Sequence, residues 1–168
     1  RSFRYDRDPA SKKAGKATFL YTNTKSLESQ TLARMHPVII KSRDGLDLVS
    51  FLSLPPWCDT GTAGKPATPL PMVLLVHGGP WAADEWGYDR ESQWLANRGY
   101  AVLQVNFRGS TGFGKKFLNA ANLEWAGTMH NDLVDAVNWA VEQKIAIKDK
   151  VAIMGGSYGG YMVCAALA

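Results

Sequence analysis

Short apolar runs separated by polar or glycine-rich stretches organise most of the chain. Residues 72–76 (MVLLV), 101–106 (AVLQVN) and 151–154 (VAIM) are the clearest of these runs, and they suit strands buried on both faces. Residues 38–41 and 46–54 flank Arg43-Asp44-Gly45, a turn signal, and predict a hairpin over 38–54. Residues 91–98 read as a helix stopped by Gly99. Residues 128–144 carry Leu133, Ala136, Val137, Ala140 and Val141 at i, i+3, i+4, i+7 and i+8, a helical stripe with Asp132, Asp135 and Glu142 off it. Residues 157–168 are apolar and helix-compatible. After the hairpin, strands and helices alternate, which predicts an α/β fold with a parallel sheet and helices on both faces.

The remaining stretches read as connections. Residues 58–71 are rich in Gly, Pro and Thr and predict a surface loop. Residues 108–114 (RGSTGFG) form a glycine-rich loop. Residues 1–35 have a different character: 16–23 read as one strand, and 26–34 as a polar connector or short helix. This front region looks like the tail of something preceding it.

Composition narrows the class. The chain has 168 residues, 46% hydrophobic and 20% charged, an ordinary globular balance that excludes disorder and a disulfide scaffold. No apolar stretch approaches the ~20 residues of a membrane span. The net charge is +4, but the cations (Arg1, Arg4, Arg7, Lys12, Lys13, Lys16) are scattered, so they read as a solvated surface rather than a nucleic-acid face. Cys58 and Cys164 read as free thiols, Cys164 as packed in its apolar stretch. His36, His77 and His130 lack metal-ligand spacing. No metal and no cofactor are expected.

The chemistry concentrates in two glycine motifs. Gly155-Gly156-Ser157-Tyr158-Gly159 fits G-x-S-x-G, with a strand directly before it and an apolar helix directly after, the context of a nucleophile elbow. The serine must sit on a sharp turn that lifts its hydroxyl above the sheet. Glycines are required where side chains would strike neighbouring backbone. The helix start offers N–H groups and a positive dipole end to an anion. His77-Gly78-Gly79-Pro80 follows strand 72–76. Acyl transfer needs two N–H donors aimed at the developing oxyanion. Tyr158, the residue after the nucleophile, supplies one, and the HGG-type loop at Gly78 and Gly79 supplies the other. His77 reads as hydrogen-bonding support rather than a proton carrier.

Two other patterns fail. Gly109 to Lys116 nearly matches a phosphate-binding loop, but Lys116 stands where a Ser or Thr must hold magnesium. A dinucleotide fingerprint around Gly155 fails because Ser157 takes the second glycine position. In hydrolases with this elbow the acid and base follow the nucleophile. After Ser157 come only YGGYMVCAALA, with no carboxylate and no histidine. A strand at 151–154 would also leave an apolar sheet edge uncovered. We therefore expect the chain to work as part of a longer protein.

Three segments together, HGGPWAADEWGYDRESQWLANRGYAVLQVNFRGSTGFGKKF, MHNDLVDAVNWAV and VAIMGGSYGGYM, resemble the prolyl oligopeptidase family of serine peptidases, in particular its acylaminoacyl-peptidase and bacterial dipeptidyl-aminopeptidase branch. The resemblance runs from about His36 to Ala168. It implies an incomplete α/β-hydrolase fold: the first five of eight strands, at 38–41, 46–54, 72–76, 101–106 and 150–154. Residues 36–168 would be the N-terminal portion of the catalytic domain. Residues 1–35 would be a linker and the last strand of a preceding propeller. The resemblance places the nucleophile on Ser157 and the oxyanion donors on the Tyr158 amide and the HGGP loop, Gly79 favoured over Gly78. In other branches a tyrosine hydroxyl near the position of His77 helps the oxyanion; here that duty falls to backbone amides. The Asp and His of the triad would lie beyond Ala168. Arg108 reads as structural support for its loop.

The resulting expectation is a serine peptidase cleaving short peptides through an acyl-enzyme on Ser157. The rivals are a carboxylesterase of the same fold and a non-catalytic fragment. The expected partners are a short peptide and the rest of the same protein, with oligomerisation left open; neither nucleic acid nor a membrane is expected. Location is left open between a cytoplasmic and a periplasmic setting.

Overall fold

The computed structural model describes residues 2–7, 14–61 and 64–168. Arg1, Lys12 and Lys13, and part of the 58–71 loop, lie outside the described residues. The chain divides into two units, Arg1–Leu32 and Ala33–Ala168.

In the first unit, β1 (Ser2–Asp6) pairs antiparallel with β2 (Lys16–Tyr21). Phe3 meets Phe19 edge-on at 5.6 Å, and the Gly15 amide donates to the Tyr5 hydroxyl at 2.9 Å. The sequence predicts β2 but not β1. SFRYD is short, alternates aromatic with charged side chains, and becomes a strand through its partner. The 26–34 region holds only one 3₁₀ turn, Lys25–Leu27.

In the second unit the elements run β3 (Met35–Lys41), β4 (Asp47–Ser53), β5 (Leu70–Val76), α1 (Arg90–Ala96), β6 (Ala101–Val105), α2 (Lys115–Asn119), α3 (Thr128–Glu142), β7 (Ala146–Gly155) and α4 (Tyr158–Leu167). The sheet order is β3-β4-β6-β5-β7. β3–β4 and β4–β6 are antiparallel, whereas β6–β5 and β5–β7 are parallel. The central strands bury both faces by simple alternation. Met72, Leu74, Leu103 and Val105 pack with Met129, Leu133, Ala136 and Ala140 of α3 and Met162 of α4. Val73, Leu75 and Val102 pack on the opposite face with Leu95 and Ala96 of α1. Asp89 caps α1 by accepting from the Ser92 amide at 2.7 Å, which satisfies one free N–H of the first turn.

Several expectations are corrected. β7 is longer than 150–154, and Val151, Ile153 and Met154 are half-buried rather than buried, because β7 pairs on one flank only in the described sheet. Its polar opening, Ala146 to Lys150, carries no apolar signal. α2 was not predicted, since its five residues follow directly on the glycine-rich loop. Cys164 is exposed, not packed; α4 turns Tyr158, Gly159 and Met162 inward and Cys164 outward.

Asp132 is the largest correction. It lies off the apolar stripe of α3 yet is fully buried. Its Oδ2 accepts from the Arg108 amide at 2.8 Å and from Nε at 2.9 Å, and its Oδ1 accepts from Nη2 at 2.7 Å. Arg108 also reaches Asp44, in the β3–β4 turn, with Nη1 and Nη2 both at 2.9 Å. Hydrogen bonds from Arg108 hold the Asp44 carboxyl well below its usual range. Burying a carboxylate is costly unless it is paired; here one guanidinium ties the α3 helix, the segment after β6 and the hairpin turn together. Arg43 and Asp135 make a neighbouring pair at 2.8 Å, with Arg43 half exposed.

These two pairs should differ sharply in worth. Arg108→Met leaves Asp132 buried without its cation and should lower stability by about 3–5 kcal/mol. Arg43→Met removes a half-exposed, solvent-screened partner and should cost far less than Arg108→Met. Denaturant titration of the two variants checks this; equal losses would contradict it.

Candidate active site

β5 and β7 end side by side, with Val76 opposite Gly155. A Cβ on Gly155 would lie 2.6 Å from the Val76 carbonyl oxygen and 2.8 Å from the Gly159 carbonyl carbon, and one on Gly159 would collide with Val76 O outright. No side chain fits at either position, so the strand end and the first turn of α4 close to backbone contact. Gly156 meets nothing within 4 Å, so this contact places no steric demand on it. Ser157, between them, adopts φ 55° and ψ −121°, a conformation that costs an L-residue roughly 1–3 kcal/mol. It is exposed, and its hydroxyl makes no hydrogen bond among the described residues. Its carbonyl accepts from the Tyr161 amide at 3.1 Å, which starts α4.

The loop after β5 comes up against this turn. A Cβ on Gly78 would sit 3.3 Å from Ser157 Cβ, 3.4 Å from Gly156 O and 3.8 Å from Ser157 Oγ. Gly79 adopts φ +124°, and a Cβ there would meet the Trp81 amide nitrogen at 2.6 Å. The structure therefore brings Gly78, Ser157 and Tyr158 together at the C-terminal ends of β5 and β7, with Gly79 next in the loop.

His77 holds that loop. Its Nδ1 lies 2.7 Å from its neighbour's carbonyl, Gly78 O, and its Nε2 lies 2.9 Å from Ser110 Oγ. Burial lowers the imidazole's basicity, which favours the neutral ring. A carbonyl can only accept, so Nδ1 carries the ring proton that Gly78 O receives; Ser110 Oγ lies 2.9 Å from Nε2 and 2.7 Å from Phe107 O, and its single hydroxyl proton serves one of the two. The Gly78–Gly79 peptide is thereby turned with its C=O towards the imidazole. In a planar trans peptide the N–H of Gly79 then points the opposite way. Neither His77 nitrogen faces Ser157 as a hydrogen-bond partner, so His77 supports the loop and does not serve as a base.

Tyr158 is buried, with its hydroxyl 3.4 Å from Met129 Sγ. Burial pushes its phenol up to about 12, and the side chain is part of the core. Ser110 and Phe107 were missed as parts of this site. Their signal was the strand-to-loop passage NFRGS, but nothing in it tells which neighbour they touch. Asp84 was missed as well. Its amide donates to Asn106 Oδ1 at 2.8 Å, Gln104 donates to its Oδ1 at 3.0 Å, and its Oδ2 is buried without a partner. These bonds pin the segment that follows Gly79 to the top of β6. His36 stands apart from the site, paired with Asp59 at 2.8 Å. Among the described residues no group of three or more His, Cys, Asp or Glu side chains could hold a metal ion.

Residues 86–168 match the prolyl oligopeptidase family. The chain is 59% identical over 159 residues to dipeptidyl aminopeptidase BIII of Pseudoxanthomonas mexicana, covering 95% of this chain and 22% of that protein. It is 43% identical to dipeptidyl peptidase family member 6 of Caenorhabditis elegans, covering 90% and 22%. The solved acylaminoacyl peptidase of Pyrococcus horikoshii superposes with a TM-score of 0.73 at 25% identity, covering 84% and 22%. The fold is thus that of the α/β-hydrolase peptidases, present as a partial domain. The chain spans about a fifth of the length of the relatives it matches.

Two outcomes follow from the site's strain and burial. Ser157→Gly relieves the positive φ and should raise stability by about 1 kcal/mol, after the extra freedom glycine gains in the unfolded chain; a loss on denaturant titration would contradict the strained turn. Burial raises the Asp84 carboxyl from 3.8 to about 7. Between those values the folded chain holds a proton the unfolded chain has released. Its contribution to stability is therefore fully present below 3.8 and lost as pH rises through about 7. Asp84→Asn should flatten that fall in a stability–pH profile; an unchanged slope would refute the assignment.

Proposed function

The chain belongs to the prolyl oligopeptidase family, and from that premise we propose that the longer protein is a serine peptidase cleaving short peptides through an acyl-enzyme on Ser157. The observation that carries the reading is the approach of the Gly78-Gly79 loop to an unpaired, exposed hydroxyl on a strained turn. Its relatives are peptidases by name: a dipeptidyl aminopeptidase and acylamino-acid-releasing enzymes.

In the proposed reaction Ser157 Oγ attacks the scissile carbonyl carbon while a base takes its proton. The carbonyl π electrons move to oxygen, and the Gly79 and Tyr158 amides, with Gly78 beside them, donate to that oxyanion. The adduct collapses by expelling the amine, which receives the proton, and leaves an ester on Ser157. Water then repeats the sequence and frees the acid. The start of α4 adds its dipole to the oxyanion site. No histidine or carboxylate follows Ser157 in this sequence, so no residue after it is assigned as the base. Residues 36–168 are in this reading the first part of the catalytic domain. The strand pair β1–β2 within residues 1–35 is in this reading the end of a preceding propeller, while Met35 already belongs to β3. Each oxyanion donor contributes roughly 3–4 kcal/mol to lowering the barrier.

The test uses the longer protein with a peptide anilide and a nitrophenyl ester. The wild type should cleave the anilide, and Ser157→Ala should lower kcat at least about 10⁴-fold. Fast ester turnover with no anilide cleavage would favour a carboxylesterase instead. Anilide cleavage that survives Ser157→Ala would sink the assignment of the nucleophile.

A further inference from the structure

We propose that Phe107 is a positioning residue that sets the separation between the two oxyanion amides, and that the Arg108–Asp132 pair anchors it; this rests on the reading of Ser157 and its amides given above. Phe107 is fully buried in the segment just after β6. Its ring stacks on His77, with centroids 4.5 Å apart and planes 14° from parallel. The same ring leans on Tyr158 at 5.6 Å and 33°. His77 orients the Gly78–Gly79 peptide, and Tyr158 carries the other amide on its own backbone. A single rigid ring thus lies between the supports of both donors.

The ring cannot slide, because the turn that bears it is fixed at successive residues. Arg108 donates from its amide, its Nε and its Nη2 to the buried Asp132 carboxylate. Gly109 adopts φ +95°, and a Cβ there would lie 2.6 Å from Ala121 Cβ, so the turn is wedged against the residues after α2. The Ser110 amide donates to Phe107 O at 3.0 Å, and its hydroxyl oxygen lies 2.7 Å from the same carbonyl and 2.9 Å from His77 Nε2. Phe107 and Ser110 therefore grip the imidazole from its face and its edge. A planar ring has a defined thickness and few rotamers, so it transmits a distance that a branched aliphatic side chain does not. Catalytic donors misplaced by 1 Å forfeit about 100-fold in rate, and a change in packing thickness at this position is of that order.

The test is kinetic, in the longer protein with Ser157-dependent peptidase activity established first by the Ser157→Ala variant. Phe107→Leu should lower kcat about 30–100-fold with KM changed less than about 3-fold. Affinity for a peptide aldehyde, which forms a tetrahedral adduct on the serine, should fall by the same factor. Affinity for the product peptide should not move. Leu48→Ala, an equally buried site on β4, controls for lost stability: it should lower Tm as much or more and leave kcat within about 2-fold. Asp132→Asn keeps the shape of the anchor and should show the Phe107→Leu signature at about 10-fold, which keeps the test open should Phe107→Leu fail to fold. Lower Tm with unchanged kcat in Phe107→Leu or Asp132→Asn would overturn the proposal, as would equal losses for aldehyde and product. Absence of Ser157-dependent activity in the wild type would instead overturn the function on which the proposal rests.

Discussion

Everything at this site depends on one close approach: the ends of β5 and β7 and the first turn of α4 meet at the Val76 carbonyl with no room for a side chain. Glycine at 155 and 159 follows from that contact. So does the conformation of Ser157, which must turn through a positive φ to leave the strand and enter the helix within one residue. The strain is local, and the packing of Met162 and Tyr158 beneath it offsets it. The hydroxyl ends up exposed because the backbone under it is pressed shut.

Around this point the chain has built its polar interior with few loose ends. His77 and Ser110 connect through the Phe107 carbonyl and the Phe107–Arg108 peptide to Arg108, Asp132 and Asp44, a path from the loop after β5 to the β3–β4 turn. Each member is satisfied by its neighbours, which makes a buried polar path affordable where an isolated charge would not be. The path serves both amide supports, since Phe107 sits on it and touches the rings of His77 and Tyr158. In the proposed reaction, fold stability and the placing of the Gly79 and Tyr158 amides are therefore two consequences of the same contacts. A variant along the path is expected to move both, and their ratio tells which role dominates at each residue.

The centre of this arrangement was legible in the sequence. β5 and β6 announce themselves as apolar runs because both of their faces are buried. The elbow announces itself because only glycine tolerates the Val76 contact. What was not legible depends on partners distant in sequence. β1 and the polar opening of β7 owe their strand form to pairing rather than to pattern. Asp132 looks like a solvated helix residue until Arg108, 24 positions earlier, is brought onto it. Phe107 reads as one more core aromatic, because which ring it faces is settled only by how the loop after β5 folds back. Cys164 shows the converse error: an apolar neighbourhood along the chain does not bury a residue on the outer face of its helix.

In the proposed reaction Ser157 is the nucleophile and the Gly79 and Tyr158 amides receive the charge it creates. The most direct measurement is a crystal structure of the longer protein after reaction with a peptidyl phosphonate. The account predicts phosphorus bonded to Ser157 Oγ and one phosphoryl oxygen within about 3 Å of both amide nitrogens. Phosphorus on another residue would contradict it, and so would a phosphoryl oxygen turned to solvent or to a side chain with both amides left unpaired.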